Sequence, residues 1–203
     1  TILLILSIIW GSSFILMKKS LIAFNYLEVA FLRLIIAFFV LSPFMFSSFR
    51  NMKTIYIIPI LIVSIIGTVI PAILFAFAQI YLDSANTGML NALTPIFTFI
   101  IGLAYFKKKW DFTNIAGIIT GLLGSYILLL PSNENIANTK YSLIVILATI
   151  CYALSINTIK EKLGSLKPLD IAVISSVCSC IIPIMYFLNN GLMITIDKIY
   201  NNV

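Results

Sequence analysis

Apolar residues along this chain fall into long blocks separated by short polar stretches that hold nearly all of the charge. The blocks occupy positions 1–17, 27–46, 55–82, 85–106, 113–130, 142–160 and 169–188. Each is close to the about 20 residues a helix needs to cross the hydrocarbon core of a bilayer. The pattern predicts an all-α fold, a polytopic bundle of about seven transmembrane helices. The third block is longer than a span requires and contains Pro59, Gly67 and Pro71, which predicts a tilt or a kink.

The pattern also repeats. A shift of 142 positions sets Trp10 on Tyr152, Ser13 on Ser155, Lys18 on Lys160 and Leu21 on Leu163 without a gap. It then carries Leu27 to Leu169, Glu28 to Asp170 and Ala30 to Ala172. Helices one and two therefore resemble helices six and seven. The repeating unit has five helices, an odd number, so the second copy enters the membrane upside down. Inverted repeats of this kind recur in secondary transporters, with the substrate held between the halves near the midplane. Residues 1–131 read as the first copy. Residues 141–203 read as the start of the second, with its last three helices missing, and the opening at Thr1 inside an apolar run reads as trimmed. No basic stretch or cleavage site marks the first block as a signal peptide.

Composition sharpens this picture. Of 203 residues, 61% are apolar and 10% charged, where a soluble domain carries about 25% charge. The net charge of +6 does not read as a nucleic-acid surface, because the lysines lie in small clusters between apolar blocks. It reads as orientation. With the N-terminus inside, the cytoplasmic connections hold Arg50, Lys53, Lys107, Lys108, Lys109, Lys160, Lys162 and Lys167, against Lys18, Lys19, Lys140 and Lys198 outside. This predicts a multi-pass protein of the cytoplasmic membrane with a cytoplasmic N-terminus. Cys151, Cys178 and Cys180 all lie in apolar blocks, and the last two point to nearly opposite sides of a helix, so they read as packing residues. The chain has no histidine; no metal site, cofactor or catalytic residue is predicted.

Several segments resemble the EamA-like transporter family of the drug/metabolite transporter superfamily. Trp10-Gly11-Ser12-Ser13-Phe14 followed by Lys18 is similar to its first-helix signature, and Leu32-Arg33 with Ala37 to its second. Ala78, Tyr81 and Ala85, with Pro95-Ile96-Phe97, resemble the third and fourth helices; Gly117 and Gly124 resemble the fifth. Cys151-Tyr152-Ala153-Leu154 looks like the opening of the second domain, with Tyr152 where tryptophan is commoner. Lys108 stands where the family usually carries a glutamate, so that residue's role does not transfer. The resemblance implies ten helices in two five-helix domains, and movement of small organic solutes such as amino acids.

The candidate pathway residues are Trp10, Ser13, Lys18, Arg33, Gln79, Asn91, Thr94 and Pro95. Arg33 lies roughly 9 Å below the outer boundary at 1.5 Å per residue, a depth where a charge usually faces water or the bundle interior; snorkelling towards Glu28 is the alternative. Lys18 and Arg33 at similar depth on neighbouring helices would form a positive site suited to a carboxylate-bearing solute. Trp10 reads as a cavity wall or a packing contact, and Gln79 as a pathway side chain. Tyr81, nearer the boundary, fits an aromatic belt. Pro95 frees the carbonyl of Asn91, with Thr94 close by, for either a kink or a solute contact. Gly117, Gly121 and Gly124 form a small-residue stripe for close packing within the bundle, or alternatively for a homodimer.

The predicted partners are thus the lipid bilayer and a small organic solute, with no nucleic acid. No phosphate-binding loop of the ATPase type is present, so a secondary transporter leads. A non-transporting assembly partner is the alternative. A membrane enzyme lacks histidine, a clustered carboxylate pair and a serine base.

Overall fold

A computed structural model describes residues 2–50, 52–106, 112–129 and 139–190, and it is helical almost throughout. The helices are α1 (Ile2–Ser20), α2 (Tyr26–Arg50), α3 (Thr54–Tyr81), α4 (Ser84–Ala104), α5 (Phe112–Leu129), α6 (Thr139–Lys162) and α7 (Pro168–Asn190). Among the described residues, α2, α3, α4, α6 and α7 are long and apolar enough to cross a membrane. The helices α1 and α5 are 19 and 18 residues long. Lys107, Lys108, Lys109, Glu134 and Lys198 lie outside the described residues. The chain is a polytopic helical membrane protein.

Local chemistry sets the helix ends and breaks. Asn25 caps α2: its side chain accepts from the Glu28 amide at 2.9 Å, and the Glu28 carboxylate accepts from the Asn25 amide at 2.9 Å. The kink predicted in α3 takes the form of a π-helical turn at Ile65–Val69. Pro71 follows it and cannot donate to the carbonyl of Gly67, which loosens the ladder there. A second break splits α4 into Ser84–Asn91 and Thr94–Ala104.

Helix α3 packs against α1, α2 and α6, while α6 also covers α4, and α7 lies against α2 and the first half of α3. One core cluster joins Met17, Val29, Ala30, Phe31, Val69, Phe75, Val145 and Phe187; a second joins Ile60, Val63, Leu163, Ile171 and Ile174. Many large apolar side chains remain on the outside, among them Ile8, Phe46, Ile58 and Leu188. Such a rim suits hydrocarbon and not water.

Helix α3 also shows the relation between the two copies. The end of α1 meets the end of α3, where Lys18 bonds the Gln79 carbonyl at 2.6 Å. The loop after α6 meets the start of α3, where Tyr56 and Ser165 share a hydrogen bond of 2.9 Å. The α1–α2 and α6–α7 hairpins therefore have opposite polarity. Their boundaries keep the sequence offset: α1 ends at Ser20 and α2 starts at Tyr26, while α6 ends at Lys162 and α7 starts at Pro168.

Candidate functional site

Arg33 donates to Ser13 Oγ at 3.2 Å and reaches Met17 Sδ at 3.7 Å, so its guanidinium lies along the face of α1. The Glu28 carboxylate, its alternative partner, accepts the Asn25 amide instead. Tyr152 on α6 lies within electrostatic reach of Arg33. Its ring stacks on Phe75 with centroids 5.6 Å apart, and Phe14 packs on Phe75 at the same separation. These ring contacts tie the half-buried Tyr152 of α6 to α3 and α1.

Beyond Tyr152 lies a cavity of about 600 Å³ between α3, α6 and α7. Towards mid-helix it is lined by Thr68, Tyr152, Ser155 and Ser175, with Thr68 Oγ1 donating to the Val63 carbonyl at 3.3 Å and Ser175 Oγ to the Ala172 carbonyl at 3.2 Å, and Lys160 lines it nearer the end of α6. The floor is tightly built. A Cβ on Gly67 would collide with the Ser155 side chain, so the π-turn of α3 and the middle of α6 approach as closely as only glycine permits. Asn157, fully buried two residues on, donates to the Thr98 carbonyl of α4 at 2.9 Å and so fixes α6 against α4.

These positions form a ladder. Ser13 and Arg33 each lie seven residues from the ends at which α1 and α2 are joined, about 10 Å along the helix. Ser155 and Ser175 hold the matching places from the opposite side, through the sequence offset. Tyr152 stands between the two sets. The predicted list contained Ser13 and Arg33 but not Thr68, Tyr152, Ser155 or Ser175; carrying Ser13 and Arg33 through the repeat would have found two of these.

The other predicted residues sit elsewhere. Lys18 does not stand open beside Arg33. Its ammonium donates to the carbonyls of Gln79, Ile80 and Leu82 at 2.6, 3.4 and 3.0 Å, which engages all three of its N–H groups in capping α3. Gln79 is fully buried, and its amide donates to the Phe14 carbonyl at 3.2 Å while its Oε1 has no partner. It joins α3 to α1 and does not line the cavity. Among the described residues nothing packs closely on Trp10, which is 63% exposed although it shares a face of α1 with Phe14 and Met17, which do meet the bundle. Tyr81, placed in an aromatic belt, stacks on Tyr141 with centroids 3.8 Å apart.

The Asn91 carbonyl freed by Pro95 is taken by the Thr94 hydroxyl at 2.7 Å, so the break satisfies itself. Among the described residues nothing packs closely on the glycine stripe of α5. A Cβ on Gly117, Gly121 or Gly124 would meet nothing within 4 Å, and the first two line a groove of about 230 Å³ shared with Pro95. All three cysteines are free thiols.

The sequence model of the EamA-like transporter family matches residues 1–130. No curated protein and no solved structure matches the chain.

Proposed function

The chain belongs to the EamA-like transporter family, within the drug/metabolite transporter superfamily, and from this premise we propose that it is a secondary transporter of small organic solutes. The observation that supports this best is a set of polar side chains deep within the helices: Arg33, exposed on α2 and bonded to Ser13, then Tyr152, and then Thr68, Ser155 and Ser175 around the cavity. Thr68 and Ser175 donate to carbonyls of their own helices, and their oxygens keep the capacity to accept from a polar guest. Two hairpins of opposite polarity meet around them, as in transporters that expose one site alternately to either side.

The solute we favour carries a carboxylate, as an amino acid does. Arg33 can hold it with a planar pair of N–H donors, Ser13 adds a hydroxyl, and Tyr152, which lines the cavity, offers an aromatic face for the rest of the molecule. The protein works in the cytoplasmic membrane, with its N-terminus inside.

Flux of labelled amino acids and other carboxylates into and out of vesicles containing the full-length protein tests the proposal. Transport of a carboxylate solute should fall at least tenfold in Tyr152→Ala at equal protein levels. Full-length protein that moves none of the solutes in either direction would make it an assembly partner and not a transporter.

A further inference from the structure

At the end of the bundle that carries Lys160, two connections come together, the one from α2 to α3 and the one from α6 to α7. They bring five exposed cations, Arg50, Lys53, Lys160, Lys162 and Lys167, with Glu161 the only carboxylate exposed in these connections among the described residues. Orientation by loop charge explains why cations collect on one side of a membrane. It does not explain why the segments bearing them are packed into one rigid corner. Met52 and Tyr56 pack against the cluster of Ile60, Leu163, Ile171 and Ile174, and the Tyr56 hydroxyl bonds Ser165 at 2.9 Å. Lys53 is thereby tied to the hairpin that carries Lys162 and Lys167.

The apolar residues beside these cations complete the picture. Phe46 lies one helical turn before Arg50 on the same face of α2 and is 86% exposed; Ile55 and Ile58 follow Lys53 and are 75% and 71% exposed. Leu169 follows Lys167 and is also exposed. Cations at the helix ends with bare apolar side chains directly below them match one amphiphile: a phosphate at headgroup depth with acyl chains beneath. The opposite end of the bundle differs. There Lys18 is consumed in capping α3, and the exposed Lys19 and Lys140 share that end with the exposed Asp83.

We propose that this corner is a binding site for the headgroup of an anionic phospholipid, whose acyl chains run along Phe46, Ile55 and Ile58. The attraction is electrostatic, so it weakens with salt, while the chains anchor the lipid where free phosphate has no hold.

The test uses purified full-length protein in neutral detergent, with bound lipid counted by native mass spectrometry and thermal unfolding followed in parallel. Phosphatidylglycerol should remain bound and raise the Tm; phosphatidylcholine and millimolar inorganic phosphate should not. Lys53→Gln with Lys167→Gln should weaken phosphatidylglycerol binding at least tenfold. The pair Lys19→Gln with Lys140→Gln, at the other end, should leave it unchanged. Equal retention of the two lipids, stabilisation by inorganic phosphate alone, or equal losses from the two variant pairs would each overturn the site.

Discussion

Arg33, Lys18 and Gly67 divide at the level of single residues what one sequence presents as alike. Lys18 and Arg33 both look like cations near one boundary, yet one is engaged by three carbonyls while the other lies along α1 beside Ser13. Their variants should therefore fail differently. Lys18→Met leaves the last carbonyls of α3 without their charged donor and should destabilise the fold by about 1.5–3 kcal/mol, seen as a lowered Tm with the KM for solute unchanged. Arg33→Lys keeps charge and reach but loses the planar fork; it should raise the KM for a carboxylate solute severalfold at normal expression. Unchanged transport in both Arg33→Lys and Arg33→Gln would leave Arg33 as an anchor to Ser13 only. Gly67 offers a sharper contrast with Gly121. Alanine at 67 collides with Ser155 and should cost roughly 1–3 kcal/mol or more, whereas alanine at 121 has open space and should be neutral or slightly stabilising. Thermal unfolding of the two variants side by side decides it. Nothing in the sequence separates these two glycines, because the difference lies in what α6 brings to one of them.

Among elements, the apolar blocks were legible because bilayer thickness dictates their length, and the kink in α3 because proline removes a specific donor. The form of the kink was not. The π-turn at Ile65–Val69 meets α6 at Gly67 and Ser155, a contact about ninety residues apart in the chain. Turns of this type often mark functional positions in helices, and this one forms the floor of the cavity beside Thr68 and Ser155. The break in α4 was likewise expected at Pro95, but its meaning was open until the Thr94 hydroxyl was found on the freed Asn91 carbonyl. That bond predicts that Thr94→Val destabilises α4 by about 1 kcal/mol, while Thr94→Ser, which keeps the hydroxyl, does not; Tm values of the two variants provide the measurement. Helix α5 shows the limit of motif reading. Its glycines match the spacing of a packing stripe, yet among the described residues no helix comes close enough to use it.

For the whole molecule, the repeat carries the most structural information, because it relates residues that share no local feature. Identical spacing in the two hairpins was visible in the sequence, and the fold adds that they enter with opposite polarity, since Lys18 meets the end of α3 and Ser165 meets its start. What the repeat could not reveal is its own asymmetry: Arg33 corresponds to Ser175, so only one copy brings a charge to the polar ladder. If α1 begins in the cytoplasm, that charge lies in the outer half of the membrane and the five-cation corner faces inside, in keeping with the usual bias of lysine and arginine. Seven alternating crossings then require positions 108 and 134 to fall on opposite sides, although neither is within the described residues. Fusions of a periplasm-only and a cytoplasm-only reporter after Lys108 and after Glu134 should therefore give an inside signal at the first and an outside signal at the second. The reverse pattern would invert the molecule, placing Arg33 towards the cytoplasm and the phospholipid corner in the outer leaflet. The same signal at both points would mean that α5 does not span, which is incompatible with the opposite polarity that the contacts of α3 give the two hairpins.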